Sequence, residues 1–407
     1  MKSFAWLRAR PRAFASVAVI AAGAVALTTL AFVYQGNPTT EVDLNDGSVW
    51  VTKQSSLMVG HFNHESRVLD GGLRAASDQY DVLQSGDTVL LHDESGNAIT
   101  AVDPATVALT SSADLPAGAQ VVLGGQTVAV LDPAKGSLWV VPAGGISGFT
   151  AASTRPVARL GADAAVTVGG DGTVYAVSVK NRKLVTVPVD AEGVPGAVST
   201  AALDALPATA KASITVVGTT PVVLDSASGT VLDAFGLHEK LKGGESAVLQ
   251  QPSASADAVT VATTDALLRV PLDGSTPTSR AAGGSGVAAA PVWLNGCAYG
   301  AWSGSARYVR DCPGTADDMA MDVPGADART QLEFRVNRDV VVLNDIVGGS
   351  AWMASDSMQQ VDNWDDLTPP KGDTEDNDET TTEQTIQNTL PKRSAKNPPP
   401  IANDDSY

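Results

Sequence analysis

From residue 42 to residue 362 the apolar positions fall in short runs of four to seven, rich in Val, Leu, Thr and Trp, each closed by Gly, Asp, Asn or Pro. This alternation predicts strands and tight turns, and helical periodicity is nearly absent. Residues 201–212 could turn once or twice as a helix, but Pro207 interrupts them. The runs come in pairs. Residues 127–131 pass through Asp132-Pro133-Ala134-Lys135-Gly136 into 137–141. The same form joins 173–179 to 183–188, 221–224 to 230–232, 89–91 to 98–102, 259–262 to 267–271, and 298–302 to 306–309. The leading strands centre near residues 89, 128, 175, 222, 259 and 298, at intervals of 37 to 47 residues. An all-strand repeat of about 40 residues predicts a β-propeller, because one four-stranded blade has about that length and cannot bury both faces alone.

The two ends of this region match. Leu44-Asn45-Asp46-Gly47-Ser48-Val49-Trp50 opens it, and Leu343-Asn344-Asp345 with Gly349-Ser350-Ala351-Trp352 ends it. Matching ends fit a ring that closes on itself, so an all-β propeller of about seven blades is expected over residues 41–362. A pair of β-sandwiches would show similar short strands and is the alternative.

The N-terminus adds a topology. Lys2, Arg8, Arg10 and Arg12 precede residues 13–34, which carry no charge over 22 positions. At about 1.5 Å per residue such a helix reaches about 33 Å, enough for a hydrocarbon core of about 30 Å. The basic flank, residues 1–12, is expected in the cytoplasm and the remainder outside the cell membrane. A cleaved signal is the alternative, but its apolar stretch is usually shorter, about 7–15 residues, and ends in small residues. At the other end, residues 363–398 are polar and proline-bearing, and residues 362–383 hold nine acids against Lys371. Such a segment cannot bury enough surface to offset its ordering entropy, so a disordered linker is expected. The formal net charge is −18, with no basic stripe, which argues against nucleic acid as a partner.

Candidate chemistry is sparse. Cys297 and Cys312 lie outside the expected membrane helix, and a hairpin turning near Gly304 would place them opposite each other, so a disulfide is expected. His61 and His64 are three apart beside Glu65, in strand-and-turn surroundings unlike a helical zinc motif, and read as exposed turn residues. His92 and His238 show no partners, and Asp103, Asp132 and Asp225 read as turn formers. No catalytic residue, metal site or cofactor is predicted, although a glycosidase carboxylate pair stays open among so many acids. Trp50, Trp139 and Trp352 follow Gly-Ser and read as inter-blade packing at one blade position. Trp293 and Trp302 flank Cys297 and are expected to pack around the disulfide.

The final residues, Pro400-Ile401-Ala402-Asn403-Asp404-Asp405, are similar to the opening of tandem cadherin-like or bacterial Ig-like repeats. With Leu44-Asn45-Asp46-Gly47-Ser48-Val49-Trp50-Val51-Thr52, the layout resembles actinobacterial membrane-anchored surface proteins. Their propeller-like ectodomain precedes Ig-like and fibronectin type III domains. The resemblance implies that residues 399–407 begin a further, truncated Ig-like module. Two roles are expected on this basis. The first is a non-enzymatic, membrane-anchored extracellular scaffold binding a protein or cell-wall glycan. The alternative is a polysaccharide-active ectodomain, glycoside hydrolase or lyase.

Overall fold

The structure, a computed structural model, describes residues 48–367. The expected membrane helix (13–34), most of the linker and the 399–407 module lie outside the described residues. Among the described residues no helix is long and apolar enough to cross a membrane.

The strands form eight antiparallel sheets in chain order, spanning 49–74, 80–114, 120–159, 165–202, 212–240, 248–281, 287–322 and 332–361. Numbered in that order, they are the eight blades of a β-propeller. The six leading strands found by periodicity are the second strands of blades 2 to 7, for example Thr127–Asp132 and Thr220–Asp225. These second strands are almost wholly buried, which is why they read as unbroken apolar runs.

In blades 2 to 6 a side chain at the end of the second strand ties the next turn. Asp93 accepts from Gly96 N–H at 2.7 Å, Asp132 from Ala134 and Lys135, and Asp225 from Ala227. Ser178 and Thr263 do the same with hydroxyls. The turns of blades 2, 3, 4, 5 and 7 each hold one residue with positive φ: Asn97, Gly136, Arg182, Gly229 and Ala306. At that residue the carbonyl accepts from the end of the blade's outer strand: Leu115 to Asn97, Leu160 to Gly136, Leu203 to Arg182, Leu241 to Gly229, Val323 to Ala306. At Gly136 the backbone of Gly161 packs so close that no side chain fits.

Eight blades replace the seven expected. The matching ends do not complete one shared blade; each builds its own sheet, and the two sheets are neighbours. Val49 and Val51 of blade 1 share a core with Val340, Val342, Ala351 and Met353 of blade 8. Blade 1 itself has three strands, Val49–Lys53, Met58–Asn63 and Val68–Arg74. Its Ala75 N–H donates to Leu57, whose φ is +57°, repeating the bond just described. The three strands therefore correspond to the second, third and outer strands elsewhere, and an innermost strand is lacking among the described residues.

Trp50, Trp139 and Trp352 all pack between blades, as expected, but they do not share one blade position. Trp139 and Trp352 lie on third strands, but Trp50 lies on a second strand. Trp302 also departs from expectation. It is fully buried with Ala262, Leu267 and Val309 between blades 6 and 7, and its Nε1–H donates to Thr263 O at 2.7 Å. Trp293 lies under the Arg269 guanidinium, 5.0 Å from centroid. Cys297 packs on the opposite cluster, with Tyr299 and Tyr308. The hairpin pairs Ala298 with Asp311, and Cys297 and Cys312, one step further out, are bonded with Cα atoms 4.1 Å apart.

Side-chain amides cap both edges of blade 1. On its inner edge Gln84 accepts from Trp50 N–H (3.0 Å) and donates to Ser48 O, which also takes Asn337 Nδ2 at 2.9 Å. Further along, Asn344 binds both backbone groups of Thr52. On its outer edge Asn363 accepts from Leu69 N–H at 2.9 Å and donates to Leu69 O at 3.0 Å. Trp364 and Leu367 come next, 3% and 2% exposed, in the blade 1/blade 8 core. The fold thus runs to Leu367, five residues past the expected boundary at 362.

Candidate functional site

Blade 1 has no innermost strand among the described residues, and the innermost strands of blades 8 and 2 meet beside it. Asn337 accepts from Gly86 N–H at 2.9 Å, and Arg338 pairs with Asp87 at 3.1 Å. Above this seam lies a cavity of about 740 Å³, bordered by Trp50, Asp81, Leu123, Val287, Glu333 and Arg335. A second, of about 510 Å³, shares Asp81, Leu83, Val121 and Val122 with it and adds His92 and Glu94. Their walls are the innermost strands, so the two follow the propeller axis.

The strand Leu332–Asn337 explains how charge enters this axis. Leu332 and Phe334 are buried in the core, and alternation turns Glu333 and Arg335 to the other face. The Arg335 guanidinium lies 2.6 Å from Asp81 Oδ1 and 3.3 Å from Glu333 Oε2. Its side chain is 11% exposed, and burial alone would work against the charge; Asp81 and Glu333 outweigh that and hold it. Glu333 keeps 45% of its side-chain surface open to the channel, yet it sits deep within the ring. Desolvation pushes its carboxyl up, with Asp81 and Glu94 adding to the rise and Arg335 opposing it. His92 is paired in register with Asp81 across blade 2. Its burial pushes the imidazole down, against the pull of Glu94, Asp81 and Asp93.

Two donors bordering the larger cavity lack partners: Trp50 Nε1 and Arg335 Nε, both buried. Both atoms are closed off from solvent, so they are enclosed in the wall and do not open onto the cavity.

Sequence reasoning singled out none of Asp81, Glu333 or Arg335, and gave His92 no partner. One signal was present: Gln331-Leu332-Glu333-Phe334-Arg335 alternates charge with apolar residues at period two. The residues that were singled out lie elsewhere. His61 is not an exposed turn residue but lies on the strand Met58–Asn63, 7% exposed, with Nδ1 2.6 Å from Asp70 and Trp50 edge-on at 5.1 Å. Burial works against the Asp70 charge, but the bonds to His61 and Asn63 hold its carboxyl below the usual range. His64 is half-buried in the following turn. Asp103, Asp132 and Asp225 tie turns, as expected. Among the described residues no cluster of three or more His, Cys, Asp or Glu could hold a metal ion.

No family model and no curated protein matches the chain. Solved structures do. Dihydro-heme d1 dehydrogenase NirN in complex with DHE aligns at TM-score 0.56 and 13% identity, over 82% of this chain and 76% of that one. BamB from Moraxella catarrhalis gives 0.46 and 14%, over 75% and 90%. AztD from Citrobacter koseri gives 0.45 and 9%, over 77% and 93%. At such identities the likeness speaks for fold alone. By its eight sheets and this likeness, the chain is a β-propeller protein.

Proposed function

We propose that this is a membrane-anchored extracellular binding protein, taking a protein segment or cell-wall glycan at the axial cavity of its propeller. One observation carries the reading: the charged cluster of Asp81, Glu333 and Arg335 lines a cavity on the propeller axis. Structural ion pairs are ordinarily closed; this one borders about 740 Å³ of open space. The basic residues ahead of positions 13–34 support an anchor with the propeller outside.

Two measurements test this. A reporter active only outside the cytoplasm, fused after Thr40, is expected to be active; a well-expressed but inactive fusion overturns the topology. A pull-down of wall material by the full chain is expected to weaken when Val287, on the cavity wall, becomes Trp. Equal capture by both overturns the axial site.

A second reading, hydrolysis or elimination of a polysaccharide, is favoured by Glu333, whose burial-raised carboxyl could hold a proton for a leaving oxygen. Released sugar in the same pull-down, lost in Glu333→Gln, would decide for it.

A further inference from the structure

We propose, resting on the axial reading above, that the cavity takes an uncharged, polyhydroxylated ligand, a neutral oligosaccharide, bound through Asp81, Glu333 and Arg335. Charge is the first consideration. Arg335 is already engaged by Asp81 at 2.6 Å and Glu333 at 3.3 Å, and Glu94 stands on the adjoining wall. A free anion would meet three carboxylates and a guanidinium whose charge is spent. A compact cation would meet that guanidinium at the centre of the cluster. An anion gains nothing to offset its own dehydration, and a cation must compete with Arg335 for the same carboxylates.

Hydroxyl groups meet no such conflict. An ionised carboxylate offers about four lone-pair sites, and Arg335 uses one oxygen of each of its two partners. The remaining sites can accept from a sugar's O–H groups. The same hydroxyl oxygens can accept from guanidinium N–H groups of Arg335, which has five donors and lines the cavity. A site built to give and take hydrogen bonds at once suits a group that does both. Between these polar groups the wall is aliphatic, with Leu83, Val122, Leu123 and Val336. That surface suits the C–H faces of a pyranose ring. The volume, about 740 Å³, suits a short oligosaccharide.

The test is calorimetric titration of the full chain in lipid nanodiscs with three probes. These are neutral oligosaccharides (an N-acetylglucosamine tetramer and glucan and mannan tetramers), a hexuronate tetramer, and tetralysine. A neutral oligosaccharide is expected to bind most tightly. Glu333→Gln, which keeps a polar group beside Arg335 but loses acceptor strength, is expected to weaken it about tenfold, as for one charge-assisted hydrogen bond. Val287→Trp, at a position 75% exposed on the cavity wall, should weaken it too. Tighter binding of the uronate, strengthened by Glu333→Gln, would sink the neutral-sugar inference and leave the axial site standing. The same holds if tetralysine binds most tightly and Val287→Trp weakens it. No binding by any probe would point to a water-filled cavity and overturn the inference. Binding indifferent to both substitutions overturns this inference and the axial reading together.

Discussion

The side-chain amide of Asn344 accepts from the N–H of Thr52 at 2.9 Å and donates to its carbonyl at 3.1 Å, joining positions 292 residues apart. Both residues are 0% exposed. The amide does what a neighbouring strand would do, and it fastens blade 8 to blade 1. Asn344→Ala leaves two buried backbone groups without partners, at about 1–3 kcal/mol each. Asn344→Asp keeps the acceptor but sets a buried charge against the Thr52 carbonyl, and is expected to cost at least as much. Urea unfolding measures both; an alanine variant within about 0.5 kcal/mol of the parent would deny the amide its role in closure.

Truncation separates the propeller from the acidic tail beyond it. Ending the chain after Leu367 is expected to leave the thermal midpoint unchanged. Ending it after Asp362 removes Asn363, Trp364 and Leu367, and loss of one buried tryptophan alone costs about 3–5 kcal/mol. Gly60→Ala should mimic part of this, since a Cβ there would lie 2.8 Å from the Trp364 ring. Equal midpoints for the two truncations would contradict the packing of Trp364.

The position of that boundary illustrates what the sequence carries. Hairpins were legible because their turns are chemically marked: Asp132 to Gly136 and Asp225 to Gly229 each hold a capping carboxylate and a positive-φ glycine. Innermost strands were less so. Ala212–Val217 mixes exposed and buried positions, and that of blade 7 is broken into Val287–Ala288 and Val292–Leu294. Blade number was missed because the matching ends mark closure of the ring without saying whether they share one blade or build two. Trp364 was missed because one tryptophan among acids does not alter composition. The site was legible only as the Glu333/Arg335 alternation, because Asp81 and Arg335 meet through ring closure and no local pattern encodes that.

The bridge between Cys297 and Cys312 closes a loop of separation 15. In the chain-entropy model that is worth about 3 kcal/mol. Dithiothreitol should lower the midpoint of the parent and leave a Cys297→Ala/Cys312→Ala variant unaffected. A parent indifferent to reduction would show that the bond contributes nothing.

Stability should respond to pH through two channel groups with opposite sign. Burial raises Glu333 above its ordinary 4.5, so the folded protein keeps that proton after the unfolded chain has lost it. Stability attributable to Glu333 is full below 4.5 and falls as pH climbs through the raised value. Burial lowers His92 below 6.5, so its contribution is full above that pH and is lost as pH falls through the lowered value. Thermal midpoints recorded from about pH 4 to pH 8 should lose the first trend in Glu333→Gln and the second in His92→Gln. Profiles unchanged by either substitution would place both groups in ordinary water.

Synthesis runs from the N-terminus, and that gives the amide seam a temporal side. Blade 1 leaves the ribosome first, with Thr52 and Leu69 exposed at its two edges. Gln84 emerges soon after, but Asn344 comes 292 residues after Thr52, and Asn363 comes 294 after Leu69. At about 5–20 residues per second the wait is about 15–60 s. For that interval the newborn chain holds two raw strand edges, an invitation to pair with any other chain nearby. The first blade is thus finished by residues made last, and its folding waits on theirs.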